Sequence, residues 1–280
     1  MRKRFSDILA AKQISVSNEY ERLFKLFRLT AVTDGSWSSQ GSVYYYCEKY
    51  FLNFSASLRG TCVSLSEFNN QYGFNFPRNP VGLTIDDLIN LCEYTYNLSV
   101  ALKGCCSLRS SEVKIDYCAF YNNQIEYLIE QIGYVSNTKD GIVDFVPKNP
   151  AAIAVAEIID EDLAYDVIEY NHHSMRGDLL AKKTTLLRFA NLLEPKRAEL
   201  KTINEKLSVN IFFMFNNLDL RHNNSTSGDK NYQQYTEQMS KADLEAWYDE
   251  LYQMCLLAFL ELDNIERAKN VDTLKKNYKS

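Results

Sequence analysis

With 280 residues, 46% of them apolar and 24% charged, the chain can bury one large core or two modest ones and is too apolar for a disordered tail. Ten glycines and five prolines are too few for a many-turned β protein, so long helices are expected. Residues 1–148 hold 15 basic and 15 acidic groups and residues 149–280 hold 16 and 21, which leaves the net charge at −5 and argues against a free-standing, broadly basic nucleic-acid binder.

The opening "MRKRFSDILAAKQ" is basic but lacks the apolar core of a signal peptide. No apolar run approaches the roughly 20 residues that span a bilayer, so a cytoplasmic protein is expected. Seven cysteines (Cys47, Cys62, Cys92, Cys105, Cys106, Cys118, Cys255) are scattered without CxxC spacing, several of them on apolar stripes. Neither a disulfide framework nor a cysteine-built zinc site is expected.

Four helices are predicted before residue 133. "SNEYERLFKLFRLT" starts at an expected N-cap, Ser17, with Tyr20, Leu23, Phe24 and Phe27 on one face. "SVYYYCEKYFLNFSASL" carries Val43, Cys47, Tyr50, Phe51, Phe54 and Leu58 as one stripe. "LTIDDLINLCEYTYNLSVALK" opens with Thr84 and Asp87 at capping-box spacing. A fourth stripe uses Tyr117, Tyr121, Ile125, Leu128, Ile129 and Ile132.

"GYVSNTKDGIVDFVPKNP" is the one strong β signal, a small hairpin turning at Lys139-Asp140-Gly141. Asn149-Pro150 then supplies an N-cap and a first-turn proline, placing a domain junction at 148/149. The residues that follow read as one long helix or two abutting ones with Gly177-Asp178 as the weak point, broken at Pro195 with a new start near Lys196. "SVNIFFMFNNLDL" is apolar on nearly every side and is expected to be a buried central helix. After the loop at 223–239, Ser240 and Asp243 cap a last helix with Leu244, Trp247, Tyr248, Leu251, Cys255, Ala258, Leu262 and Ile265 inward. The expectation is an all-α protein of two helical halves, 1–148 and 149–280, joined through one hairpin.

The three histidines fall in "YNHHSMRGD" and "LRHNN". Helical projection points His172 inward behind Ile168, and His222 inward behind Ile211, Phe215 and Leu218, while His173 joins Glu169 and Arg176 on an exposed face. Three roles stay open. Histidines can cap helix ends. They can form an acid/base cluster with arginine holding phosphate, because imidazole titrates near neutrality and the guanidinium fork matches phosphate oxygens. A metal site from His172, His222, Asp178 or Asp219 has no HxH or HExxH spacing behind it. There is no GxxxxGK[ST], GxGxxG or GxSxG motif, and no cofactor is expected.

"FNNLDLRHNN" at the end of an apolar helix, preceded by "YNHHSMRGDLLAKK" and followed by "WYDELYQMCLLAFLELDN", resembles the HEPN superfamily over about residues 150–266. Members are all-α bundles of prokaryotic toxin, abortive-infection and phage-defence proteins, many of them metal-independent ribonucleases that dimerise to build the site. The resemblance implies an RNA-directed protein with Arg221, His222 and His172 as catalytic groups and His173, Arg176, Asn217, Asn223 and Asn224 as substrate contacts, acting as a homodimer. The family spaces histidine four to six residues after the arginine. Here His222 follows Arg221 directly, which leaves an inactive HEPN-like module that binds a partner protein as the alternative.

Overall fold

The computed structural model describes residues 14–31, 36–78, 81–106 and 115–278. The basic opening segment and the side chain of Cys106 lie outside them. The protein is all-α with small two-stranded sheets, and it divides into two compact units, 1–145 and 146–280. No helix among the described residues is long and apolar enough to cross a membrane.

In the first unit, α1 (Val16–Arg28) is capped by Ser15 rather than Ser17, since the Ser15 hydroxyl accepts from the Asn18 amide. The stripe expected to run unbroken over 43–58 belongs to three pieces. These are α2 (Val43–Tyr50), a 3-10 turn at Phe51–Asn53, and α3 (Ala56–Arg59). Phe54 turns extended between the last two, and its carbonyl accepts from Arg59 Nε at 3.1 Å. An unforeseen α4 (Leu65–Tyr72) starts where Ser64 accepts from the Glu67 amide. The Thr84–Asp87 box forms as expected at the head of α5 (Ile85–Cys106): each residue's side chain takes the other's amide, at 2.8 and 3.2 Å. Alongside it packs α6 (Ile115–Gln131).

Two ladders complete this part of the chain. The unexpected one pairs β1 (Thr30–Ala31) with β2 (Trp37–Ser38). The expected hairpin joins β3 (Tyr134–Lys139) to β4 (Ile142–Pro147). Its turn residues Asp140 and Gly141 both have positive φ, 52° and 80°, as a two-residue turn matched to strand twist requires.

In the second unit, Asn149 caps α7 (Pro150–Ala156), its side chain accepting from Ala151 and Ala152 amides. The stretch expected as one long helix or two abutting ones continues as α8 (Glu161–Glu169), a 3-10 turn at His173–Met175, and α9 (Leu179–Leu193), with a break at the expected weak point, Gly177-Asp178, and further breaks before α8 and after it. Gly177 at φ 77° and the Asp178 cap set the last break. After Pro195 come α10 (Arg197–Ile203) and α11 (Glu205–Asn217), then short α12 (Gln234–Gln238) and α13 (Lys241–Asn277). The spine is α13, against which α7, α9, α10 and α11 pack. The core between them is built from Leu186, Phe189, Ile211, Phe215, Tyr252 and Cys255.

Candidate functional site

At Asn217 α11 stops, and the chain doubles back with Asp219 in the left-handed region at φ 57°. Arg221 therefore does not extend a helix. Its Nη2 donates to the Ala190 carbonyl at 3.2 Å, its Nη1 pairs with Glu194, and its guanidinium lies 5.1 Å from the Phe215 ring centre. The Ala190 carbonyl also accepts the Glu194 amide, so Arg221 adds a second donor there and an ion pair beside it, at the end of α9. His222 is exposed, contrary to the inward projection, because the helical period lapses five residues before it.

Asn224 is wholly buried. Its oxygen accepts from the Asp219 amide at 2.9 Å, and its NH2 donates to the carbonyls of Asn216 and Asn231 at 3.1 and 2.7 Å. Its own amide donates to Asp219 Oδ1, and its carbonyl accepts from Gln233. Every polar group of the residue is engaged in closing the loop. Exposed Asn223 bonds locally to Thr226. Asn217 donates to the Phe213 carbonyl at 2.8 Å.

His172 is buried, as projected, but as the cap of a 3-10 turn rather than a member of a helical stripe. Its Nδ1 accepts from the Ser174 amide at 3.2 Å and lies 2.7 Å from the Ser174 hydroxyl. The rings of His172 and His173 sit 4.2 Å apart, and the amide of Arg176 closes the turn on the His173 carbonyl.

His172 and Arg176 line a cavity of about 250 Å³ together with Tyr170, Asn171, Lys182, Asp249 and Tyr252. Neither Arg221 nor His222 lines it. Lys182 faces this cavity, whereas Arg221 grips Ala190, eight residues further along α9 and so about 12 Å up the helix. The residues expected to act together, His172, Arg221 and His222, are not gathered in one cleft.

Lys182 is the residue that reading the sequence missed. Only 4% exposed, it donates to Glu245 Oε1 and Asp249 Oδ1, both at 2.7 Å, and lies 5.3 Å from the Tyr170 ring centre. Tyr170 donates to Asp249, Asn171 to the Tyr252 hydroxyl, and Tyr252 to the Val167 carbonyl, while the two tyrosine rings stack at 4.0 Å. The Lys182 hydrogen bond and the Gly177 amide hold the Glu245 carboxyl below its ordinary range. Burial pushes both phenols up, so they remain donors. A lysine between two carboxylates, with donors and acceptors matched around it, ties α8, α9 and α13 together; it is a poor nucleophile. The signal was available: Lys182 stands in line with Leu179, Leu186, Phe189 and Leu193, a cation inside an apolar stripe.

A different surface is left open. An apolar groove of about 400 Å³ runs between α11, α12 and α13, lined by Phe213, Met214, Tyr235, Trp247 and Met254 with Asn210, Asn217, Gln233 and Thr236 as its polar members. The Thr236 hydroxyl donates to the Asn217 carbonyl at 2.7 Å and so pins α12 across one end. Two expectations are corrected here. Trp247 faces out, not in, and α11 is not buried all round, since Val209 and Phe213 stand exposed one turn apart. Among the residues expected to bind substrate, Asn217 alone lines this groove. No family model, curated protein or solved structure matches the chain.

Proposed function

We propose that residues 146–280 form a HEPN-like interaction module that takes an amphipathic helix of a partner protein into the groove between α11, α12 and α13. The observation that carries this reading is an apolar groove with no charged side chain in its lining, flanked by Phe213 and Trp247 at 61% and 43% exposure. Covering such rings is favourable by roughly 25 cal/mol per Å² of apolar surface removed from water. Aromatic and methionine side chains at the centre, ringed by uncharged polar groups, form the composition of an interface hot spot.

The RNA-directed reading, a ribonuclease of toxin or phage-defence type, has one observation in its favour: His222 and Asn223 stand exposed side by side. Against it, the phosphate-binding donors it needs from Arg221 are directed to Ala190 and Glu194. The full chain is compared with Phe213→Ser and Trp247→Ser for protein association, by sedimentation and by affinity capture with identification of what is bound. Association that both serines abolish at an unchanged thermal midpoint is the expected result. Association indifferent to both, or RNA cleavage that His222→Ala removes, overturns the proposal.

A further inference from the structure

The two long walls of the groove match each other in length. Asn210 to Asn217 on α11 and Trp247 to Met254 on α13 each cover a rise of about 10 Å, or two helical turns. The walls run antiparallel: Asn204 donates to Glu261 at 3.1 Å beyond one end, and the Tyr248 hydroxyl to the Leu218 carbonyl at 3.1 Å near the other. A helix laid between them presents side chains at i, i+3 or i+4, and i+7 over the same rise, so apolar residues at those positions fit it.

The lining is uncharged, but its shoulder is not. Asp243 and Glu250, both exposed, stand about 40° and 60° around α13 from Trp247, on the side away from buried Leu251 and Cys255. Glu237, next to Thr236 on α12, is exposed as well. Further along α13 the acids are matched on the helix itself, where Arg267 pairs with Asp263, Lys269 with Glu266 and Lys275 with Asp272. The groove acids break that pattern. Three or four residues from Asp243 and Glu250 stand only Met239, Ser240, Ala246, Trp247, Gln253 and Met254, none of them basic. Asp243 accepts from the Ser240 hydroxyl at 2.6 Å and Glu237 from the Tyr232 hydroxyl, neutral donors that leave each carboxylate its charge. The nearest basic residues along α11 and α13 are Lys206, a turn before Asn210, and Lys241, about 120° around the helix from Trp247.

We infer that the helix this groove receives is a basic one, whose apolar face fills the two turns between α11 and α13 while lysines or arginines on its flank meet Glu237, Asp243 and Glu250. This rests on the groove reading and names the partner's chemistry. The apolar lining supplies the burial and is indifferent to charge. The acidic shoulder supplies the choice, because it attracts a basic flank and sets an acidic one against like charge.

The test uses the full chain with Trp37→Phe, so that Trp247 alone reports. It is titrated with a leucine–lysine peptide whose leucines follow the helical spacing above, and with the leucine–glutamate counterpart. The lysine peptide should shift Trp247 emission and bind about tenfold more tightly than the glutamate peptide, an advantage that added salt erodes. Phe213→Ser should abolish the binding and Glu250→Lys should weaken it several-fold. Asp272→Lys, the same change in net charge about six turns further along α13, should leave it unchanged. Binding of neither peptide overturns the inference and the groove reading together, as does lysine-peptide binding indifferent to Phe213→Ser. A glutamate peptide bound equally well, in a Phe213-dependent way, overturns the basic partner and keeps the groove. Equal losses from Asp272→Lys and Glu250→Lys do the same, since net charge then explains the preference. Self-association through Phe213 without peptide also overturns the basic partner and keeps the groove.

Discussion

Asn224→Ala separates a loop keystone from a ligand contact. The substitution deletes one acceptor and two donors that hold the Asp219 amide and the Asn216 and Asn231 carbonyls. At a net of about 1 kcal/mol for each bond the loss is about 3 kcal/mol, and stranded buried partners would raise it. Water limits that rise, because Asn231 is exposed and Asn216 and Asp219 are half-buried. The expected cost is therefore about 2–4 kcal/mol, or about 1–2 M off the urea midpoint at a slope of about 2 kcal/mol/M. Trp247 emission in a Trp37→Phe background reports the second unit by itself. Asn224→Asp keeps the acceptor but turns a carboxylate towards two carbonyl oxygens, so it should lose at least as much as alanine. His222→Ala and Asn223→Ala, at exposed positions, should stay within about 0.5 kcal/mol. Asn224→Ala at wild-type stability, with binding lost, would refute the keystone assignment.

Arg221→Ala should cost about 1–3 kcal/mol by freeing the end of α9, and Arg221→Lys should recover little, because one ammonium cannot match the forked contact to Ala190 and Glu194; full recovery in chemical melts would count against the fork. Glu245 has a depressed folded pKa, so its stabilisation is present above the ordinary value of 4.5 and fades as pH falls through the lower folded value; Glu245→Gln should flatten the acid limb of the stability–pH curve, and an unchanged limb refutes the coupling. Lys182→Met removes the shared partner of Glu245 and Asp249, and because Asp249 is half exposed the loss should be about 1–3 kcal/mol, below the range for a sealed pair; a thermal midpoint equal to wild type would show the network to be idle.

Elements with a local chemical signature were readable in the chain. The Thr84–Asp87 and Ser240–Asp243 boxes, the Asn149-Pro150 start and the Asp140-Gly141 turn each place their hydrogen-bonding groups within a few residues, so spacing suffices. Continuity was less legible. Apolar periodicity runs through 43–58 and 150–175 without interruption, because a 3-10 turn can keep the same side chains facing the core while ending the helix; the Gly177-Asp178 break, which has a local signature, was legible. The Ser64–Glu67 spacing that starts α4 was present and overlooked. Arg221 and His222 were misjudged for a single reason: helical projection was carried past Asn217, where Asp219 reverses the chain.

The site itself was hardest to read, because its two features have opposite sequence signatures. Lys182 looks like an error in an apolar stripe and proves to be answered by residues more than sixty positions away on α13. Phe213 and Trp247 look like ordinary core residues and prove to stand exposed among the described residues. Periodicity assigns a face only relative to other helices, and the partner face of α13 is fixed by long-range packing that no local window contains. That asymmetry also orders the functional reading. A polar cluster whose donors and acceptors close on one another has completed its work within the folded unit, so it is architecture. An apolar groove left in water is favourable burial still to be made, and that burial is what the proposed interaction would supply.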